Sequence, residues 1–210
     1  EISNDPSRTS KVQIDRAILV QVFSIIFFTT AMGGLIFQST TFSLPKILDE
    51  RLNDFATNAT EVGAWAFIVF TVAAFAQLVV GYLVDRHSVK LVFSIIAGCQ
   101  VILFALMMNL DGAAALIVSI GFMLMVFGQI PINDVLIGRV AKSEWRSRAF
   151  AIRSFITFTV MATSIPLIAW LHATWGFPAL FLVLCISAAF IFSAVVMLPK
   201  IEVVMRVSTK

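Results

Sequence analysis

The sequence is 210 residues long, 60% hydrophobic and only 13% charged, with a formal net charge of +3 and a mean hydropathy of +0.97. A soluble globular domain is roughly half apolar and about a quarter charged. This composition therefore excludes an ordinary water-soluble domain and indicates a chain that lies in a lipid bilayer. The two cysteines, Cys99 and Cys185, lie inside apolar runs, so the sequence predicts neither a disulfide framework nor a thiolate metal site.

Six apolar runs are long enough to cross a bilayer, since a spanning helix needs about 20 mostly apolar residues. Each is predicted to be a helix, because lipid offers the backbone no hydrogen-bond partner and a helix satisfies its own groups. The runs are Ala17 to about Leu44, Val62–Val84, Leu91–Leu110, Ala113–Ile137, Ala149–Leu171 and Phe177–Leu198.

The predicted fold class is therefore all-α, an integral membrane six-helix bundle over residues 17–198. A polar cytoplasmic linker is predicted at 1–16 and a cytoplasmic tail at 199–210. The polar beginning, with Glu1 in place of Met, further suggests that the chain is a piece of a longer protein.

The connections between the runs alternate in charge. Of the 15 Lys and Arg residues, 13 lie in the N-terminal segment, the second and fourth connections and the C-terminal tail, whereas the first connection is acidic. Because cytoplasmic loops of membrane proteins are enriched in Lys and Arg, both termini are predicted to be cytoplasmic, in a plasma membrane or a bacterial inner membrane. The positive charges are topology signals, and they indicate no nucleic-acid partner.

The connection between the second and third runs carries a short charged motif, Gly81–Lys90, which reads GYLVDRHSVK. It resembles the loop signature of the major facilitator superfamily, written G-x-L-a-D-R-x-G-R-K. It departs from that signature at Ser88, where the family usually has Gly, and at Val89, where it usually has Arg. Stretches 145–153 and 172–177 are also similar to the family. The matching positions of the motif are Gly81, Leu83, Asp85, Arg86 and Lys90.

The resemblance covers nearly all of the chain and implies one six-helix half of a secondary active transporter, the C-terminal half. Its partners would be the other six-helix half, membrane lipid and a small-molecule solute, with a proton as one candidate coupling ion. The solute would bind between the halves near the bilayer midplane, and transport would proceed by alternating access. The alternative is a non-transporting membrane bundle that acts as a receptor or scaffold. Six more apolar runs upstream in the same reading frame would favour the transporter.

Enzymatic activity is not predicted, because the sequence contains no Gly-rich phosphate loop, no G-x-S-x-G and no H-E-x-x-H motif. His87 and His172 are predicted on opposite sides of the membrane, so they cannot form one metal site. The sequence therefore predicts no catalytic residue, no cofactor and no metal.

Asp134 is the strongest candidate for a charged residue with a functional role. It is predicted near the cytoplasmic end of the fourth run, where an unpaired carboxylate would be costly. We predict a cluster of Asp85, Arg86, Asp134 and one of Arg139 or Arg153. By the resemblance, such a cluster would latch the cytoplasmic side in the outward-facing state. A static ion pair and a proton carried by Asp134 are the alternatives. The complete gating set is Gly81, Asp85, Arg86, Lys90, Asp134, Arg139 and Arg153.

Polar and aromatic side chains near the predicted midplane are candidates to face the solute. None is charged, which favours a neutral, amphipathic or weakly charged solute. Gly33 and Gly34 predict a flexible break in the first helix and Pro131 a kink in the fourth, with helix packing through small residues as the alternative. The candidates are Thr29, Thr30, Gln77, Phe127, Gln129, Phe158 and Thr159.

Overall fold

In a computed structural model of the chain, residues 16–52, 56–140 and 143–198 are described, and this part forms long helices and no strand. All five helices are long and apolar enough to cross a membrane. The predicted all-α membrane bundle is confirmed for this part of the chain. The predicted tail and, apart from Arg16, the predicted linker lie outside it. The helices are α1 (Arg16–Arg51), α2 (Ala59–Arg86), α3 (Val89–Met107), α4 (Gly112–Val140) and α5 (Ser143–Val196).

The helix α5 contains two spans, because it is broken at Gly176. A straight helix of its 54 residues would be about 81 Å long, far more than a hydrocarbon core about 30 Å thick. At Gly176 the backbone turns to φ 73° and ψ −172°, which glycine adopts at little cost. We call the two parts α5a (143–175) and α5b (177–196). The sequence predicted a connection at 172–176, and the structure reduces it to this one residue.

The contacts at the two ends of the bundle show that α5a and α5b run in opposite directions. His172 of α5a pairs with Glu50 near the end of α1, with 3.0 Å between Nε2 and Oε1. At the opposite end, Lys90 near the start of α3 donates from Nζ to the carbonyl oxygens of Val196 and Leu198, both at 2.7 Å. Consecutive spans therefore alternate in direction across the bundle.

The two ends also differ in charge. We call the end that carries Arg86, Lys90 and Arg139 the basic end, and the opposite end, which carries Glu50 and Asp111, the acidic end. The turn between α2 and α3, the end of α4 and the end of α5b lie at the basic end. Its assignment to the cytoplasm remains a prediction from the charge bias.

Aromatic and small residues fill the interior. The rings of Phe104, Phe122 and Phe181 form a buried cluster between α3, α4 and α5b, with centroids 5.5, 5.9 and 6.4 Å apart. Gly128 of α4 faces Val80 of α2, where a Cβ would come within 2.8 Å of the valine Cγ2. The missing side chain lets these two helices approach closely, as small residues do in membrane bundles.

The outside of the bundle is strongly apolar. Phe67, Leu78 and Phe155 expose 70%, 71% and 72% of their surface. Water-soluble monomers rarely expose apolar patches of this extent, whereas lipid or a partner bundle covers them favourably. Together with the apolar spans, this surface identifies an integral membrane protein.

Candidate functional site

Two side-chain amides meet in the middle of the bundle. Gln100 lies on α3 and Gln129 on α4, each near the centre of its helix. Gln100 Nε2 donates to Gln129 Oε1 at 3.0 Å, and the two residues expose 0% and 4% of their surface. Polar side chains at such depth are costly in a membrane and mark functional sites by default. This pair is therefore the centre of the candidate site.

Asn133 and Gly33 complete this centre. Asn133 follows Gln129 by one turn on the same face of α4 and is 7% exposed. Gly33 of α1 faces both side chains, because a Cβ there would lie 2.7 Å from Gln129 Nε2 and 3.9 Å from Asn133 Nδ2. The helix α1 runs unbroken through Gly33 and Gly34, so the flexibility predicted there stays a prediction. In the structure, Gly33 leaves room for the Gln129 amide. We call Gln100, Gln129 and Asn133 the amide cluster.

Several polar atoms of the amide cluster have no hydrogen-bond partner in the described part of the chain. They are Gln100 Oε1, Gln129 Nε2 and Asn133 Oδ1, and the hydroxyl of Thr30, one turn before Gly33 on α1, is also unpartnered. Each such atom costs about 1–3 kcal/mol in a protein interior. Because these atoms include a donor and acceptors and carry no formal charge, they suit a neutral hydrogen-bonding group.

Pro131 lies between the two α4 members of the amide cluster. Proline has no amide N–H, so the carbonyl of Phe127 loses its intrahelical donor, although α4 continues through this position. The ring of Phe127 packs between Phe37 of α1 at 5.4 Å and Phe70 of α2 at 6.3 Å, measured between centroids. An aromatic wall formed by α1, α2 and α4 therefore lies close to the amide cluster along α4.

The remaining substrate-facing candidates are dispersed. Thr29 is buried, and its hydroxyl donates at 3.0 Å to a carbonyl one turn earlier in α1. Gln77 is half-buried on α2. On α5a, Phe158 is 69% exposed, and the exposed Thr159 donates within its own helix at 2.8 Å. Of the predicted set, Gln129 is the member that belongs to the amide cluster.

Sequence reasoning missed Gln100 and Asn133 as site residues. The signal for Gln100 is present in the sequence, because an amide in the centre of an apolar span is itself a functional indication. Asn133 directly precedes Asp134 in the sequence, and hydropathy does not distinguish the buried amide from the half-exposed carboxylate beside it.

At the basic end, Asp134 of α4 forms an ion pair with Arg153 of α5a. The Arg153 side chain is 19% exposed and the Asp134 side chain 48%, so the pair lies at the margin of the interior. Of the two arginines predicted as partners of Asp134, the structure selects Arg153. The pair joins the two helices of the α4–α5a hairpin.

The other cations of the gating set make separate contacts. Arg139 Nη2 donates at 3.2 Å to the Val84 carbonyl near the end of α2, while Lys90 closes the end of α5b as described above. The guanidinium carbon of Arg86 lies 4.4 Å from the centroid of the Tyr82 ring. The last carbonyls of a helix lack intrahelical donors, and Arg139 and Lys90 supply donors to carbonyls at helix ends.

Asp85 is exposed and makes no hydrogen bond or ion pair within the described residues. Gly81 lies inside α2, where a Cβ would meet no atom within 4 Å. Ser88, which replaces the Gly of the loop signature, is the N-cap of α3 and accepts at 3.2 Å from a backbone N–H of its first turn. The structure therefore does not assemble the predicted four-residue cluster, because Asp85 and Arg86 do not contact Asp134.

A comparison with protein families identifies the Major Facilitator Superfamily, whose model matches residues 18–208. No curated protein matches the chain. The family match spans nearly all of the sequence and confirms the resemblance carried by the Gly81–Lys90 motif.

Proposed function

Because the chain belongs to the major facilitator superfamily, we propose that it forms the C-terminal six-helix half of a secondary active transporter for a small neutral solute. Members of this family are membrane transporters of small solutes. In the proposed mechanism this half rocks against its partner half and exposes the solute to each side of the membrane in turn.

The observation that supports a neutral solute is the amide cluster. Its unpartnered atoms lie near the centres of α3 and α4, beside the centre of α1, which is the depth at which such transporters bind substrate. Gln100, Gln129 and Asn133 are uncharged, so they would not compensate a buried charge on a solute. A hydroxyl or amide group, which both donates and accepts, would satisfy these atoms.

The contacts at the ends support movement of this half as one body. Lys90 links α3 to α5b, Asp134–Arg153 links α4 to α5a, and the ion pair at the acidic end links α1 to α5a. Rocking around a central site requires that each half keeps its internal contacts. We therefore assign Asp134 and Arg153 a structural role within this half. Asp85, exposed and without an ion-pair partner among the described residues, is the residue that would contact the partner half.

The test is solute flux into vesicles that hold the full-length protein. A panel of neutral polyols and amides is compared with amino acids, carboxylates and amines of similar size. We expect saturable flux of at least one neutral solute and no saturable flux of the charged ones. Saturable flux of charged solutes alone would overturn the neutral-solute assignment. The absence of any flux, together with specific ligand binding, would favour the receptor or scaffold alternative.

Proton coupling is tested on the same vesicles at two external pH values and with the variant Asp134→Asn. Because Asp134 is paired with Arg153, we expect any proton-driven flux to persist in this variant. Loss of the pH gradient's effect with retained downhill flux would instead identify Asp134 as the proton carrier.

A further inference from the structure

A groove runs along the outside of the bundle between α2 and α3. These helices share the short turn at His87 and Ser88, yet each packs mainly on other helices, so they hardly touch beyond it. The space between them has a volume of about 720 Å³, and Leu124 and Met125 of α4 form its floor. The walls include side chains that remain exposed, such as Phe75, Leu91 and Ile95.

The groove is as long as one leaflet of a bilayer. On α2 its lining extends from Val72 at the helix centre to His87 just after the helix end. This stretch is about 22 Å long at 1.5 Å per residue, close to half of a bilayer about 40–45 Å thick with its headgroups. On α3 the lining likewise runs from Leu91 near the helix start to Cys99 near the centre. The groove therefore reaches from the basic end to mid-depth.

The open end of the groove is cationic. Arg86 lies directly before His87, and its guanidinium is stacked on Tyr82 while its N–H groups donate to no atom of the described residues. Lys90 and Arg139 add positive charge at the same end of the bundle, against Asp85. A stacked arginine whose N–H groups point to no protein acceptor is well suited to donate two parallel hydrogen bonds to the oxygens of a phosphate.

We propose that the groove binds one acyl chain of an anionic phospholipid, whose phosphate is held by Arg86 with His87 beside it. The apolar walls match a hydrocarbon chain, and the one-leaflet length matches a lipid rather than a helix, which would continue across the bilayer. Basic pockets between membrane helices bind anionic headgroups for the same electrostatic reason. This site is distinct from the amide cluster and does not depend on which solute is transported.

The experiment measures lipid retention by native mass spectrometry of the full-length protein released from nanodiscs. The nanodiscs contain equal amounts of palmitoyl-oleoyl phosphatidylglycerol and palmitoyl-oleoyl phosphatidylcholine. We expect the wild-type protein to retain phosphatidylglycerol preferentially. Arg86→Gln should reduce this preference about fivefold, the contribution of one cation near the membrane surface, and Arg86→Lys should keep most of it.

A second pair of variants tests the groove itself. Ile95→Trp places a bulky ring in the groove and should lower the number of retained lipids by one. The matched control is Ile117→Trp, because Ile117 is 69% exposed on α4 and does not line the groove; it should retain as many lipids as the wild type. Equal retention by the two variants would overturn the acyl-chain site. An unchanged preference in Arg86→Gln would overturn the headgroup assignment, and a second copy of the chain bound through the groove would overturn both.

Discussion

The middle of the bundle and its basic end differ in how far their polar side chains are hydrogen-bonded. At the basic end, Lys90 and Arg139 donate to carbonyls at helix ends, and Arg153 pairs with Asp134. In the amide cluster, one hydrogen bond joins the two glutamines, while Gln100 Oε1, Gln129 Nε2 and Asn133 Oδ1 have no partner in the described residues. From this difference we propose that stability and solute binding are separated in this half: contacts at the basic end hold helices together, and the unpartnered atoms in the middle would bind the solute.

Replacing Gln129 with Leu should have the largest effect. The change removes the central amide, and we expect saturable flux to fall about 100-fold, equivalent to two lost hydrogen bonds of about 1.4 kcal/mol each. Stability should change by less than about 1 kcal/mol, because the removal of the unpartnered Gln129 Nε2 offsets the loss of the acceptor that Gln100 Nε2 now has. Flux and thermal unfolding are measured in parallel, with Ile117→Leu as the control. Wild-type flux in the Gln129 variant would show that the solute binds elsewhere.

Substituting Gly33 with Ala tests the same centre from α1. The added Cβ would lie 2.7 Å from Gln129 Nε2, so the amide must move, and we expect flux to fall about tenfold, or about 1.4 kcal/mol. Gly34→Ala is the matched control, because its Cβ would meet only Val160, at 3.7 Å. In the background of Gln129→Leu the Gly33 substitution should have no further effect on flux, since coupled residues act non-additively. Additive losses would separate the two positions.

Replacing Arg153 with Met should lower stability and leave solute affinity unchanged. The loss is expected to be about 1 kcal/mol, below the value for a fully buried pair, because the remaining Asp134 carboxylate is 48% exposed and water solvates it. The measurement is the unfolding midpoint together with KM for flux. Exchanging the two charges, Asp134→Arg with Arg153→Asp, should recover part of the stability. A raised KM with unchanged stability would show that the pair contributes to solute binding rather than to the stability of this half.

Replacing Asp85 with Asn should have the smallest effect on stability, within about 0.5 kcal/mol, since the carboxylate is exposed and has no hydrogen bond or ion pair in the described part of the chain. The maximal flux rate should nevertheless fall about threefold while KM stays the same, because the proposed partner of Asp85 is the other half of the transporter. Asp85→Glu should keep most of the rate. An unchanged flux rate in Asp85→Asn would contradict the proposal that this carboxylate contacts the other half at the basic end.

The spans could be predicted from the sequence because their apolar length has only one stable solution in lipid. Their ends could not be predicted as well. The helix α1 continues past the predicted end near Leu44 to Arg51, since a helix that leaves the hydrocarbon region still satisfies its own backbone. Pairs on its surface such as Lys46–Asp49, at 2.8 Å, support the additional turns.

The candidate site was predicted less completely than the fold. Helices that are apolar on all sides carry no periodic stripe to show which face is inside, so the sequence did not show that Gln100 points to Gln129. The contact between Lys90 and Val196 joins residues 106 positions apart, and no local pattern contains it. The predicted charge cluster is only partly present, since Arg153 pairs with Asp134 whereas Arg86 stacks on the Tyr82 ring. Which cation reaches Asp134 depends on how the helices pack, and the order of residues along the chain does not show it.

The bend at Gly176 has a mechanical consequence. Only Gly176 separates α5a from α5b. Because this connection is so short, the adjoining ends of the two helices cannot move apart. The start of α5b is therefore held at the end of α5a, and four residues further on Phe181 packs against Phe104 of α3. A single glycine thus fixes the end of one membrane span directly to the start of the next.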